Sequence, residues 1–480
     1  MGLRTPEQYI ESLRDGRTVY YRGERIADVT THPEIGPGVR HAALEYASAQ
    51  DPAHADLVTY TDAAGATSSR YWKLPEGPDD LLRRHALIDH GTRVGHGVFL
   101  IIKEIGSDFL FAHTIVCHQM QERLRASYHE RLRAYHHYVA EHDLALAVAQ
   151  TDVKGDRTLG PSEQEHPDYY VRVVDRQKDG IVVRGAKAHT TDSVAANELI
   201  CIPTRAMSEA DRDYAVAFAV PMNTKGVKLI VSPFSATGAS RFHHPVSGEH
   251  KMIESLTVLD DVFVPWERVF LCGETQFAGA LALGFVQFHR FTAVSYKIPH
   301  IDLMIGGAML AAEANGIDRA GHVREKLSRL IAWRETVRGL TVAAAYECRR
   351  LSPGVAVPNP VTTNIAKQYF AENYHVMAQR VQDIAGGLLV TGPAEEDVTA
   401  PETKAYVERY LGGKKGFGAT NRLRVMNLIR DLLASDFGGY NEILSIHAEG
   451  SLEAQKLTIL REFDATQARA FAAQCAYLGG

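Results

Sequence analysis

The sequence is poor in cysteine and in long apolar runs, and it has no surplus of positive charge. Its five cysteines among 480 residues, Cys117, Cys201, Cys272, Cys348 and Cys475, lie too far apart for a Cys-x-x-Cys pair or a disulfide framework. An odd number of scattered thiols reads as buried side chains in a reducing compartment, so a cytoplasmic location is expected. The start, Met1-Gly2-Leu3-Arg4-Thr5-Pro6, lacks the apolar run of a secretory signal, and Pro6 stands where a myristoylation motif wants Ser or Thr. No stretch approaches the roughly 18 consecutive apolar residues of a membrane span. With 52 basic against 58 acidic residues the formal charge is -6, so no global field draws in a phosphate backbone or an anionic bilayer. Neither nucleic acid nor membrane is expected as a partner.

Several catalytic signatures are also missing. There is no Walker loop, no Gly-x-Gly-x-x-Gly opening a helix and no Gly-x-Ser-x-Gly elbow, and no internal repeat points to a solenoid or propeller. His136, His137 and His142, with His243 and His244, are the densest histidine groups, but adjacent histidines diverge on a helix and no carboxylate or thiol completes a tetrahedral set. No metal is expected.

What the chain does have is ordinary soluble composition, 45% hydrophobic and 23% charged, and a clear change of period along its length. Residues 1–148 read as a mostly helical domain. Thr5, Pro6 and Gln8 form a capping signal for a short helix through Leu13, and a long helix is expected over Phe109 to Glu141. Residues 149–272 read as a β domain, a sandwich or barrel, with a hairpin turning at Lys178-Asp179-Gly180 and further strands near 199–202, 215–220, 227–231 and 255–264. Residues 273–480 return to helical spacing, with helices expected at 277–315, 320–351, 363–384, 420–433 and 452–477. A planar ligand such as a flavin would fit at the wall between a β domain and helical layers.

Five segments carry candidate chemistry. Gln150, Thr151, Lys154, Gly155, Asp156 and Arg157 supply hydroxyl, carboxamide, cation and a permissive glycine suited to a phosphate or polar ring edge. Arg184 to Asp192 ends a strand in small and hydroxyl residues, among them Thr191, which can hydrogen-bond a flat ring. His289, Arg290, Tyr296 and Lys297 share a helix, with His289, Ala293 and Tyr296–Lys297 spaced to present imidazole, phenol and amine on one face, as acid–base work requires. Gln382 to Gly387 and Ser445 to Ser451 are helix punctuation that can also bring backbone amides to a ligand.

Together these segments resemble the family of reduced-flavin 4-hydroxyphenylacetate 3-hydroxylases and 4-hydroxybutyryl-CoA dehydratases. The most specific stretch runs from Thr151 through Lys154-Gly155-Asp156-Arg157 to Asp179-Gly180-Ile181-Val182-Val183-Arg184-Gly185-Ala186-Lys187-Ala188-His189. The resemblance implies an α+β, acyl-CoA-dehydrogenase-like fold with a C-terminal four-helix bundle, assembled as a homotetramer or homodimer. It implies FAD, as FADH2 delivered by a separate NAD(P)H-dependent reductase, held by Gln150 to Arg157, by Thr191 as a donor, and by Gln382, Gly386, Gly387, Ser445 and His447. It also implies molecular oxygen as co-substrate, a flavin hydroperoxide, and hydroxylation of an electron-rich small molecule, with His289 as base. The dehydratase branch binds an iron–sulfur cluster through three cysteines and a histidine; the histidine matches His289, but the cysteine positions hold Leu100, Glu104 and Tyr296. Double-bond isomerisation of vinylacetyl-CoA is the rival activity, with Glu254, His289 and Lys297 near its site, and a non-catalytic flavin-binding subunit is the third. The hydroxyphenylacetate branch's phenol anchors fall on Ile105, Phe109 and Val148, which do not match in type, so Phe99, Ile105 and Phe109 are expected to line an apolar pocket for a larger aromatic or carrier-bound substrate.

Overall fold

Thr5 caps the first helix, Pro6–Ser12, as its sequence demands: its hydroxyl accepts from the Gln8 amide at 3.2 Å and the Gln8 side chain accepts from the Thr5 amide at 2.9 Å. Tyr9 from this helix is fully buried and donates to the Ala195 carbonyl at 2.6 Å, tying the start of the chain to its middle. The structure, a computed structural model, describes residues 2–233 and 240–478.

The helical first part contains Gly36–Ser48, Pro78–Val94, Ile101–Leu124 and Tyr128–His142. The single helix expected over Phe109 to Glu141 is therefore two. Arg125 adopts a left-handed φ of 55° and ends the first, and Ser127 opens the second; the apolar stripe continues across the break, so periodicity alone does not reveal it. Ile101–Leu124 is buried on all sides along most of its length and takes Lys103, Glu104, Ser107, Asp108 and His113 inside with it. Charges so deep require partners. Lys103 finds one in Asp143 at 2.7 Å.

Every strand expected in the middle region is present. Arg172–Arg176 pairs with Gly180–Thr191 through the expected turn, and Gly180–Thr191 pairs in turn with Glu254–Pro265. Among the described residues the sheets are open, with no closed barrel, so the barrel alternative is set aside. One sheet has six strands, in the order Glu24–Ile26, Thr18–Tyr21, Val227–Val231, Glu254–Pro265, Gly180–Thr191, Arg172–Arg176; Thr18–Tyr21 runs parallel to Val227–Val231. The other has four, in the order Val269–Cys272, Val216–Pro221, Glu198–Cys201, Leu146–Ala149. A barrel and two open sheets share the same alternation of inward and outward residues, so strand pattern cannot separate them.

The last part is built on the 40-residue helix Thr275–Ala314, every residue of which from Arg290 to Ile301 is buried. By length and composition it could cross a membrane, unlike the expectation from the sequence, but 67% of its most apolar window is buried within the fold. It packs with Gly321–Tyr346, Pro360–Ala385 and Ala419–Leu433, where Trp333 stacks on Phe370 at 4.9 Å. The helix expected at 452–477 divides into Leu452–Glu462 and Thr466–Cys475, and Asp436–His447, capped by Ser435, is an additional helix. Among the thiols, Cys117 and Cys201 are buried as expected, Cys272 and Cys348 are half-buried and Cys475 is exposed.

Candidate active site

The Thr275–Ala314 helix brings Tyr296 and Lys297 to a small cavity also lined by Gly97, Phe99, Met252, His300 and Ser445. Phe99 and Tyr296 lie face to face, ring centroids 3.8 Å apart and 8° from parallel, as one aromatic wall. Behind them sits Glu449, fully enclosed. It accepts from the Tyr296 hydroxyl and lies 3.3 Å from the Lys297 ammonium and 3.4 Å from that of Lys367. Lys367 also donates to the Ser445 carbonyl at 2.8 Å. Burial pushes the Glu449 carboxyl up, but Lys297 and Lys367, with His289 and Tyr296, pull it down to about 2. Burial lowers both lysines, and each is lowered further by another cation, Lys297 by Lys367 and Lys367 by Arg290.

Arg290 reaches the same turn, donating to the Glu449 carbonyl at 2.9 Å and to Asn364 at 2.6 Å. The turn is tight: Glu449 has φ 59° and Gly450 φ 97°, and a Cβ on Gly450 would sit 2.8 Å from the Arg290 guanidinium. Only glycine meets both conditions. Two lysines thus share one carboxylate, and the Arg290 guanidinium holds the backbone carbonyl of the same residue.

His289 lies two turns before Tyr296 with its side chain 12% exposed, and its Nδ1 is 3.0 Å from Asp108 on the Ile101–Leu124 helix. Thr191, at the end of its strand, donates to Glu254 at 3.0 Å; Tyr440 donates to the same carboxyl at 2.7 Å. Burial raises the Glu254 carboxyl above the usual range, against those two hydrogen bonds. As Thr191's proton is directed to Glu254, its oxygen is left to accept from a ligand, whereas the sequence suggested a donor.

The Gln150–Arg157 loop is anchored to the same strand. Asp152 pairs with Lys187 at 2.8 Å, both 2% exposed, and Lys187 donates to the Gln150 and Ile202 carbonyls at 2.9 Å each. Thr151 accepts from the Ala188 amide at 2.9 Å, and the Gln150 side chain donates to the Ala282 carbonyl at 3.3 Å. Gly155 has φ 53°, and a Cβ there would lie 2.4 Å from the Gln164 side-chain oxygen and from the Tyr169 ring. Lys154 is lowered by burial and then by Arg157, with Arg205 adding to the effect. Asp156 and Arg157 are exposed. Lys154, with Arg157 and Arg205 close enough to lower it, belongs to a cation set of the kind that fits the diphosphate of a dinucleotide such as FAD.

The residues singled out in the sequence do not all converge. Phe99, Tyr296, Lys297 and Ser445 meet at the cavity, whereas Arg290 and His289 are not among its lining residues and join the cluster through Glu449 and Asp108. Phe109 packs in the core against His113 and Phe270, and neither it nor Ile105 is among the cavity's lining residues. Gln382 donates to the Leu433 carbonyl at 2.7 Å, and it stands with exposed Gly386 and Gly387 at the far end of the Pro360–Ala385 helix, roughly 22 Å along the axis from Lys367. His447 is exposed. Asp108, Arg84 and Lys367 were missed, since each joins the site from a distant segment with no local signal; Glu449 lay unremarked within Ser445–Ser451. The cluster positions hold no thiolate ligands. Leu100 is hydrocarbon, Tyr296 is bonded to Glu449, and Glu104 is a fully buried carboxyl pushed well above the usual range by burial and by Glu45, with one oxygen unpartnered. An iron–sulfur cluster does not fit this set.

Comparison with known proteins accords with this architecture. Residues 5–271 match the 4-hydroxyphenylacetate 3-hydroxylase N-terminal family and residues 278–476 its C-terminal counterpart. The chain is 35% identical, over 96% of both lengths, to the 4-hydroxybutyryl-CoA dehydratase/vinylacetyl-CoA-Delta-isomerase of Clostridium aminobutyricum. It is 31% identical, over 95% of its own length and 86% of the relative's, to a Streptomyces globisporus monooxygenase acting on a peptidyl-carrier-protein-bound substrate. Among solved structures, an archaeal 4-hydroxybutyryl-CoA dehydratase from N. maritimus matches with TM-score 0.93 at 29% identity, covering 100% of this chain and 96% of that one. The FAD complex of the oxygenase component of 4-hydroxyphenylacetate 3-monooxygenase matches with TM-score 0.90 at 27% identity, covering 99% of each. On its two matched halves and its full-length relatives, the chain belongs to the 4-hydroxyphenylacetate 3-hydroxylase family.

Proposed function

We propose that this protein is the oxygenase component of a two-component monooxygenase: it takes reduced FAD from a separate reductase and hydroxylates an electron-rich substrate that binds as an anion. The observation that carries this reading is the cluster behind the Phe99–Tyr296 wall, where Lys297 and Lys367 share the carboxylate of Glu449 while Arg290 holds the Glu449 backbone carbonyl. A buried surplus of ammonium is stabilised by an incoming oxyanion, and a phenolate is the electron-rich form of a phenol.

Bound FAD supplies, in its reduced state, the activation of oxygen. The chain's own groups do the rest. Lys154, Arg157 and Arg205 would hold the diphosphate and Thr191 would accept from the flavin edge. Phe99 and Tyr296 exclude water and flank the substrate ring. Lys297 stabilises the substrate oxygen, and His289 Nε2 takes its proton. Relatives described as oxygenase components, including that of Thermus thermophilus, favour a reductase partner.

A specific observation keeps one rival: Glu254 is a half-buried carboxyl raised by desolvation beside Thr191, suited to moving a proton on an acyl thioester, and the Clostridium relative is named as a dehydratase and vinylacetyl-CoA isomerase. Oxygen decides between them. Protein supplied with FAD, NADH and a flavin reductase is offered 4-hydroxyphenylacetate and 4-nitrophenol under labelled oxygen. Label in a hydroxylated product is the expected result; conversion of vinylacetyl-CoA without oxygen, with no label in either phenol, would replace the reading with the isomerase.

A further inference from the structure

We infer that Asp108 is a positioning residue for His289: it fixes the imidazole as the Nδ1–H tautomer and leaves the lone pair on Nε2. The inference rests on the proposed role of His289 as a base and deepens it.

Three side chains, those of Arg84, Thr292 and His289, converge on the single buried carboxylate of Asp108. Asp108 is fully buried, and its Oδ1 lies 2.6 Å from Arg84 Nη2, an ion pair in which the carboxylate is the acceptor. The same oxygen receives the Thr292 hydroxyl at 2.9 Å. Arg84 Nη2 also donates to Thr292 Oγ1 at 3.1 Å, so that oxygen is engaged as an acceptor and its proton is directed to Asp108. Oδ1 is thus filled by two donors, and Oδ2 faces His289 Nδ1 at 3.0 Å. Since the carboxylate has no proton to give, Nδ1 must carry one, and a neutral ring then holds its lone pair on Nε2.

The neighbours leave little freedom in this arrangement. Arg84 is itself held by Ser107 Oγ at 2.9 Å and by the Glu104 carbonyl at 3.1 Å. Phe285, one turn before His289, stacks on its ring with centroids 5.3 Å apart and 17° between planes, which fixes the ring's tilt as Asp108 fixes its direction. A base needs its proton-accepting nitrogen defined before substrate arrives, and a carboxylate behind the other nitrogen supplies that definition.

The test is spectroscopic and independent of turnover. The protein is labelled with 15N-histidine, and the His289 signals are identified by their loss in His289→Gln. A wild-type Nδ1–H tautomer is expected, shifting to a mixture or to Nε2–H in Asp108→Asn. A wild-type Nε2–H tautomer, or an Nδ1–H tautomer that persists unchanged in Asp108→Asn, overturns the inference. Should Asp108→Asn fail to fold, the wild-type tautomer decides alone: a one-bond 15N–1H coupling at His289 Nδ1 is expected, and its appearance at Nε2 instead overturns the inference. Full turnover by His289→Gln would instead remove the base reading while leaving the tautomer assignment standing.

Discussion

Replacing Glu449 with Gln removes the only carboxylate shared by Lys297 and Lys367, whose nitrogens lie 3.3 and 3.4 Å from the same oxygen. The two lysine nitrogens are then under about 7 Å apart, and their repulsion is at most roughly 2.5 kcal/mol at an effective dielectric of 20, because Lys297, already lowered to about 7 by burial, can shed its proton. Breaking a buried pair on one side costs about 3 to 5 kcal/mol in general. The carboxyl's depression from 4.5 to about 2 points to a similar size, about 3 kcal/mol. The folded protein holds this group deprotonated where the unfolded chain protonates it, so the contribution is complete above pH 4.5 and is lost as pH falls towards 2. For a chain of 480 residues each kcal/mol moves the melting midpoint by about 1 °C if the whole chain unfolds together, so Glu449→Gln is expected to melt about 3 to 5 °C lower at pH 7. The decisive control is a double-mutant cycle with Lys367→Met, read by calorimetry at pH 7. Removing one ammonium as well as the carboxylate restores the balance, so the double variant should recover at least half of the loss. Additive losses, or a single-variant shift below about 1 °C, would refute the charge-balance argument.

Other perturbations separate the cofactor loop from the catalytic cavity. Arg157→Ala, at an exposed position, is expected to leave the melting midpoint within about 0.5 °C of wild type and to weaken FAD binding roughly tenfold, the loss shrinking at high salt, as fluorescence titration will record. Gly155→Ala should lower both stability and FAD affinity, because its Cβ meets Gln164 and Tyr169 at 2.4 Å; melting and titration at or above wild-type values would contradict that packing. Thr191→Val should weaken reduced FAD by about 1 kcal/mol and oxidised FAD by less, measured by anaerobic titration, since the hydroxyl oxygen is an acceptor suited to the reduced ring's N–H.

The layers were legible because they rest on local rules. Thr5 and Gln8 cap where the capping box says they should, and Lys178-Asp179-Gly180 turns the expected hairpin. The break at Arg125 was not legible, because no apolar period marks it, and neither was the choice between barrel and open sheets. In the site, Tyr296 and Lys297 came from helical spacing, yet the choice of face that spacing offered proved moot: every residue from Arg290 to Ile301 is buried. Asp108, Arg84 and Lys367 look in sequence like charges on solvated helix faces. Only the packing of three distant segments takes them inside, where each must be paired, and that pairing turns them from surface charge into parts of a site.

The central claim is that reduced FAD on this protein passes oxygen to an anionic substrate. It is tested most directly by mixing the protein loaded with reduced FAD against oxygenated buffer and following the return of the oxidised-flavin spectrum by stopped flow. The account predicts a delay that free reduced FAD does not show and that Lys297→Met and Glu449→Gln shorten. A return indistinguishable from that of free flavin would contradict it.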